Sequence, residues 1–172
     1  MKKGIIISLA LLLVVVGIVA GSSYAYFTAT VTGNTTATAT TLTTGTMKIT
    51  FTDGTAVAKT NWIPGDTLTK TFTVKNTGTN TAKYNITLAS VTNTFGTPAD
   101  LVYTITGTGT GATSVTETQM LTAAGSLATN VSVGAGVTQS YTLTITFKNR
   151  AADQNTNQGK NFSGTINIVG IQ

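Results

Sequence analysis

Tyr141-Thr142-Leu143-Thr144-Ile145-Thr146-Phe147 alternates between apolar and polar side chains without a break, and this stretch decides the fold. Successive side chains of a β-strand point to opposite faces of a sheet, so the pattern predicts a strand with one buried face. The alternation recurs in five further sets: Met47, Ile49, Phe51; Leu68, Phe72, Val74; Tyr84, Ile86, Leu88; Leu101, Tyr103, Ile105; and Phe162, Ile166, Ile168. These sets predict half-buried strands of antiparallel sheets.

Turn signals separate the predicted strands, at Pro64-Gly65-Asp66, at Asn76-Thr77-Gly78-Thr79 and at the glycine-rich residues 107–111. Many short strands at this spacing predict an all-β protein, an antiparallel β-sandwich with a jelly-roll or immunoglobulin-like course. Residues 35–172 are expected to form this single domain. The pattern is weakest over residues 113–137, which are expected to hold short strands at most, as a long excursion or an edge hairpin.

Residues 1–25 have the order of a secretory signal peptide. Met1-Lys2-Lys3 is followed by an apolar run over residues 5–20 and then by small residues. Cleavage is predicted after Ala25, with cleavage after Tyr26 as an alternative. A retained membrane anchor is a further alternative, because a helix spanning a bilayer needs roughly 17–25 apolar residues. The protein is therefore expected to be secreted, extracellular or at the cell surface, and to meet a signal peptidase during export.

Residues 26–34 are predicted to form a separate N-terminal arm. At about 3.3 Å per residue, residues 26–42 would extend roughly 55 Å, which is too long for one straight strand in a domain of this size. A hinge at Gly33 and Asn34 would break this stretch and leave a free strand that needs a sheet edge, in the same molecule or in the next. Addition to the next molecule would propagate a filament. The predicted donor strand consists of Tyr26, Phe27, Thr28, Ala29, Thr30, Val31 and Thr32.

The composition argues against several classes of function. The chain has no cysteine and no histidine, so Cys-based sites and the usual zinc ligands are absent. The acids are Asp53, Asp66, Asp100, Glu117 and Asp153, and no two have the spacing of metal ligands. A calcium site over residues 153–157 stays open as a weaker alternative, since it has a single carboxylate. We expect no catalytic residue, no metal and no cofactor.

Charge gives no evidence of a nucleic-acid site. Lys2 and Lys3 supply two of the five net positive charges, and the other basic residues are spread along the chain. A nucleic-acid site would need a concentrated stripe of Lys and Arg. We therefore expect no specific nucleic-acid partner.

Two single residues invite a functional interpretation. Lys70 lies in phase with Leu68, Phe72 and Val74, so a buried crosslink is one interpretation. We expect instead a lysine at the rim of the sheet, with its stem on the core and its ammonium in water. Trp62, the only tryptophan, is expected to cover the end of the core or part of a subunit interface, with a ligand platform as the alternative.

Four segments resemble the TasA/camelysin family of secreted bacterial proteins, which includes subunits of biofilm-matrix fibres. They are the exit of the leader at Tyr24-Ala25-Tyr26-Phe27-Thr28, similar to leaders cut by the SipW-type signal peptidase; Thr44-Gly45-Thr46-Met47-Lys48-Ile49; the segment over residues 63–78 that starts at Ile63-Pro64-Gly65-Asp66; and the end of the chain from Gln154-Asn155 to Gln172. The resemblance implies a jelly-roll-like sandwich whose mature N-terminal strand completes the next subunit. Two departures are a shorter stretch between Thr92 and Val137 and a higher content of threonine and basic residues.

The sequence thus predicts a structural subunit of extracellular or biofilm-matrix fibres, polymerising head-to-tail by donor-strand complementation. Its main partner would be a second copy of itself, with other matrix or anchoring subunits left open. One alternative is a monomeric cell-surface module that binds wall polymer or carbohydrate. Another is a minor subunit that anchors or caps a fibre. Camelysins have also been described as metallopeptidases, which the absence of ligands in this chain argues against.

Overall fold

The computed structural model describes residues 30–32, 39–44, 47–53 and 57–171. The predicted leader, residues 1–25, lies outside them. A single 3-10 turn, Pro98–Asp100, precedes the seventh strand. The strands of the described residues are β1 (Thr30–Thr32), β2 (Ala39–Thr44), β3 (Met47–Thr52), β4 (Val57–Lys59), β5 (Thr67–Asn76), β6 (Ala82–Asn93), β7 (Leu101–Thr108), β8 (Val115–Gln119), β9 (Gly125–Val133), β10 (Thr138–Phe147) and β11 (Phe162–Ile171).

The strands form two antiparallel sheets that pack face to face. One sheet has the order β1-β11-β6-β9, with β4 also paired to β11, and the other has the order β2-β3-β5-β10-β7-β8. Without β2 and β3, these are the two four-stranded sheets of a jelly roll, between which the chain crosses repeatedly. The pair β2–β3 extends the second sheet beside β5. The predicted β-sandwich is confirmed, and its course is that of a jelly roll.

Strand β10 shows how alternation builds the core. Its apolar side chains Tyr141, Leu143, Ile145 and Phe147 are buried, while the threonines between them face outward. Those threonines lie opposite threonines of β5, in the pairs Thr142–Thr71, Thr144–Thr69 and Thr146–Thr67. Threonine is β-branched and its side chain suits a pleated surface, so the outer face stabilises strands without presenting apolar groups.

A polar cluster lies inside one end of the core. The Tyr84 hydroxyl donates to Gln139 Oε1 at 2.5 Å and lies 2.7 Å from the Tyr141 hydroxyl. The Gln139 amide in turn donates to the carbonyls of Thr110 and Ser132, both at 2.8 Å. Buried polar groups are costly unless they are hydrogen-bonded, and these contacts provide the partners. The cluster ties β6 and β10, from opposite sheets, to the loop before β8.

Residues 113–137 form more regular structure than the sequence predicts. They contain β8, at the edge of one sheet, and the nine-residue β9, at the edge of the other, so the expectation of an edge hairpin is wrong. The alternation in β9 is broken by irregular pairing with β6, where the register shifts around Ile86, and by Asn130, which has φ 58°. Its buried residues, Leu127, Ala128, Val131 and Val133, therefore do not follow a period of two.

The predicted turn at Pro64-Gly65-Asp66 closes the end of β10. Asp66 N donates to Ile63 O at 3.0 Å, and Gly65 has φ 95°, a conformation that glycine adopts at no steric cost. Gly65 N then donates to Phe147 O at 2.8 Å, and Phe147 N donates to Asp66 O at 2.9 Å. These bonds fix the start of β5 against the end of β10.

The polar cluster makes a prediction about alkaline pH. Burial, followed by the contact with Tyr141, raises the pKa of Tyr84 above its usual 10.0. A raised pKa in the folded state means that the stabilisation is complete below pH 10.0 and is lost as pH rises further. We expect Tyr84→Phe to lower the free energy of unfolding by about 1 kcal/mol at neutral pH. Its stability should also fall less steeply than that of the wild type above pH 10.

Urea unfolding at neutral and alkaline pH measures both effects. Tyr103→Phe serves as the control, because the Tyr103 hydroxyl makes a single, longer bond of 3.3 Å to Leu127 O and its loss should cost less at neutral pH. Two results together would contradict the role assigned to the cluster. The two variants would lose the same free energy of unfolding at neutral pH, and the stability of Tyr84→Phe would fall with rising pH as steeply as that of the wild type.

Candidate functional site

The candidate site is the edge of β11 that faces away from β6. In a jelly roll one full strand would occupy this position, but here two short strands share it. Strand β4 pairs with Phe162–Gly164, in the register Phe162–Lys59, Ser163–Ala58 and Gly164–Val57. Strand β1 pairs further along, in the register Thr30–Val169, Val31–Ile168 and Thr32–Asn167. The outer strand of this sheet is therefore assembled from two separate parts of the chain.

Strand β1 overlaps the predicted donor strand. Thr30, Val31 and Thr32 pair with β11 of their own chain. The rest of the predicted donor strand, Tyr26–Ala29, lies outside the described residues, as do the hinge residues Gly33 and Asn34 and the predicted cleavage site at Ala25 and Tyr26. Donation to another molecule and the place of cleavage stay predictions.

The β11 edge has a buried apolar face. Ile166 and Ile168 are at most 1 % exposed, and they belong to the same core as Leu88 of β6. The arm residue opposite Ile168 is the apolar Val31. A strand added here gains backbone hydrogen bonds along the edge and can bury its apolar alternate side chains at the margin of the core.

The described residues lack an aromatic platform on the surface. All their aromatic side chains are buried, and over residues 49–53 and 57–171 the one large exposed hydrophobic residue is Ile63, 56 % exposed. Trp62 is fully buried against Phe95 and donates its ring N–H to Lys59 O at 2.9 Å. The expectation that Trp62 covers the core is confirmed, and the ligand-platform alternative is wrong.

The five acids lie in separate places. Asp66 pairs with Lys59 at 3.3 Å, Glu117 with Lys148 at 2.8 Å and Asp100 with Arg150 at 2.9 Å. Asp153 Oδ1 accepts a bond from Asn155 N at 2.8 Å within its own loop. Asp53 contacts Lys70 in the core. Each carboxyl therefore has its own local role.

The ion pair between Lys70 and Asp53 corrects one sequence-based prediction. The side chain of Lys70 is 3 % exposed and that of Asp53 is 1 % exposed, so the rim position predicted for Lys70 is wrong. Burying two charges costs several kcal/mol for each ion, which is why a surface position was expected. A signal was present in the sequence: Asp53 continues the apolar phase of Ile49 and Phe51, just as Lys70 continues that of Leu68 and Phe72.

Two buried side chains, Gln154 and Asn157, hold the loop over residues 153–157. Gln154 Oε1 accepts from Arg150 N at 2.9 Å, and its amide donates to Lys148 O at 2.8 Å. Asn157 Oδ1 accepts from Gly96 N at 2.8 Å and Thr97 N at 3.2 Å, while its amide donates to Asp100 Oδ2 at 2.9 Å. Burial opposes ionisation of Asp100, but hydrogen bonds from Gln154 and Asn157, with the charge of Arg150, lower its pKa below the usual 3.8. Asn157 thus fastens the loop to the turn before β7. This inward contact does not favour the calcium alternative.

These observations define a class: an all-β jelly-roll protein in which the N-terminal segment lies at a sheet edge. Residues 1–100, more than half of the chain, match the family described as camelysin metallo-endopeptidase. The chain belongs to this family, and the resemblance to the TasA/camelysin family is confirmed. The family is typically extracellular or at the cell surface, and membership supports a role like that of a matrix protein. Among curated proteins, none matches the chain significantly.

The family's description implies a metal ion, and the residues of this chain do not fit one. The sequence lacks histidine and cysteine, and the five acids are dispersed as described above. Across residues 30–32, 39–44, 47–53 and 57–171, no three such side chains come together in a way that could hold a metal. A catalytic zinc site needs three protein ligands, so we derive no metal-dependent step for this chain.

Over the same described ranges, none of the helical structure has the length and apolar character that crossing a bilayer requires.

Asn157 offers a test of the loop. We expect Asn157→Ala to lower the free energy of unfolding by about 1–3 kcal/mol, because the Asp100 carboxylate loses one of its partners and the part-buried N–H groups of Gly96 and Thr97 lose theirs. The matched control is Asn155→Ala in the same loop, where the side chain is exposed, and its effect should stay within about 0.5 kcal/mol. Urea denaturation measures both variants. Equal effects would contradict the fastening role of Asn157.

Proposed function

We propose that this protein is a structural subunit of extracellular or biofilm-matrix fibres. In the fibre, the segment Tyr26–Thr32 of one subunit would lie on the β11 edge of the next. The observation that supports this most directly is the composite outer strand beside β11, where β4 covers only Phe162–Gly164 and the N-terminal β1 lies beside Asn167–Val169.

The pairing of β1 with its own β11 is compatible with exchange between molecules. A strand that reaches the edge within its own chain makes the same backbone contacts when it comes from a neighbour, so the two arrangements differ mainly in the conformation of the connection. A hinge at Gly33-Asn34 would let the arm point either way, because glycine and asparagine tolerate backbone conformations that other residues avoid. Edge strands are known to promote self-association by such an exchange, either as aggregation or as a functional assembly.

The arm has apolar side chains whose burial would stabilise binding. In the alternation of residues 26–32, Phe27, Ala29 and Val31 lie on one face. Burial of Phe27 and of Val31 would each contribute about 1.5–3 kcal/mol, in addition to the hydrogen bonds of the added strand. The donor face of one subunit and the acceptor edge of the same subunit are different surfaces. Addition is therefore head-to-tail, and it gives a filament when the rotation between successive subunits does not close a ring.

A structural role also fits the chemistry of the side chains. The family is typically extracellular or at the cell surface, which agrees with the predicted signal peptide at residues 1–25. The donor set of this chain does not fit a metal, so we do not extend the peptidase activity in the family's description to it. Every aromatic side chain of the described residues is buried, which disfavours the alternative of a carbohydrate-binding module.

Electron microscopy of two purified proteins tests the proposal. A chain starting at Tyr26 should form fibres, and a chain starting at Asn34 should stay monomeric and folded, because it keeps the sandwich but lacks the donor strand. Monomers from both chains would contradict self-polymerisation and indicate a binding module or a subunit that needs a partner. Fibres from both would exclude the arm as the connector.

Point variants of the chain starting at Tyr26 sharpen this test. Phe27→Asp and Val31→Asp should stop fibre growth, since each puts a charge on the apolar face of the arm. The matched control is Thr30→Asp, which places the same charge on the opposite face and should leave fibres intact. Circular dichroism and thermal unfolding should report a folded sandwich in all three variants. Equal loss of fibres from the control would mean that the face of the arm does not matter.

A further inference from the structure

We propose that Lys70 and Asp53 are joined by an intramolecular amide, an isopeptide bond from Lys70 Nζ to the side-chain carbonyl carbon of Asp53. The two side chains contact each other directly through Lys70 Nζ and Asp53 Oδ1, and both are almost completely buried. This inference does not rest on the proposed fibre.

The two residues are brought together by neighbouring strands. Asp53 follows Thr52, the last residue of β3, and Thr52 pairs with Thr73 of β5. Lys70 lies further along β5 on the core face, opposite Leu143 of β10. Phe51, Phe72 and Leu143 are buried apolar neighbours along these strands. The sheet therefore holds the amine and the carboxyl in place and keeps bulk water away from them.

The two other lysine–carboxylate pairs of the described residues show how unusual this environment is. Lys59 and Asp66 have side chains that are 31 % and 25 % exposed, and Lys148 and Glu117 are 36 % and 53 % exposed. Water stabilises those charges, so they gain nothing by reacting. At Lys70 and Asp53 water is excluded, and conversion of an ammonium and a carboxylate to a neutral amide removes both buried charges.

The reaction needs no other reagent. One proton moves from the Lys70 ammonium to the Asp53 carboxylate, which gives a neutral amine beside a neutral acid. The lone pair of Nζ attacks the side-chain carbonyl carbon and forms the C–N bond. The C–OH bond then breaks, and the hydroxyl takes a second proton from nitrogen and leaves as water. One ammonium and one carboxylate thus yield one amide and one water molecule.

The bond would act as a staple in a protein that has no disulfide. The chain contains no cysteine, and an isopeptide bond is a covalent crosslink that its side chains can make without oxidation. It would connect the end of β3 to β5 and enclose the segment between Asp53 and Lys70, which includes β4 beside β11. Tension pulling β3 away from β5 would then be carried by a covalent bond.

A tryptic digest of the denatured full-length protein tests the proposal. Without the bond, trypsin cuts after Lys70 and releases residues 49–59, 60–70 and 71–75 as separate peptides. With the bond, Lys70 is not cut, and residues 49–59 and 60–75 appear as one branched species with the summed mass of the two peptides less one water. Fragmentation of that species should locate the link at Asp53 and Lys70. Recovery of the three separate peptides would overturn the proposal.

Variants distinguish the bond from incomplete digestion. Lys70→Arg keeps the charge and still offers a tryptic site, but it should abolish the branched species and restore the missing mass of one water to the intact protein. The control Lys59→Met changes the lysine of the exposed pair, and its intact mass should still lack one water. Circular dichroism checks that both variants fold. A full, undehydrated mass in the wild type would contradict the proposal whatever the variants do.

Discussion

The backbone of β11 needs hydrogen-bond partners along both of its edges. On one side β6 pairs with it over nearly its whole length. On the other side the partners are two three-residue strands from different parts of the chain, β4 and β1. Unpaired backbone groups along a sheet edge are a ready site for pairing with a further strand, from the same chain or from a second one. In the structure, the N-terminal segment of the same chain pairs with this edge. The proposed function assigns the same position in a fibre to the N-terminal segment of a neighbouring subunit.

Alternation in the sequence predicted most of the fold because one face of each strand packs against the other sheet. The sets around Tyr84, Tyr141 and Leu101 all became strands, with their apolar residues in one core. Alternation does not predict β9, since pairing irregularities around Ile86 break the period of two. It also could not choose the jelly-roll course, because strand order depends on contacts between residues far apart in the chain.

The candidate site was less accessible to sequence reasoning. The arm was visible as an isolated alternating segment, but nothing local indicates that it lies next to Asn167–Val169 of β11. A lone lysine in an apolar phase usually extends to solvent, so the sequence predicts a rim position for Lys70. The partner of Lys70 is Asp53, seventeen positions earlier in the chain. Only the pairing of β3 with β5 brings the two side chains close. Buried polar contacts of this kind depend on the tertiary fold.

The central claim is that β1 of one subunit lies on β11 of another, and mixing two single-cysteine chains tests it most directly, since the natural chain has no cysteine. Thr30 lies opposite Val169 in the β1–β11 register, so one chain would contain Thr30→Cys and the other Val169→Cys. After assembly and mild oxidation, the account predicts disulfide-linked dimers that contain one chain of each kind. If the mixture stays uncrosslinked, while a chain with both substitutions closes a disulfide within itself, the strand stays in its own molecule and the account is wrong.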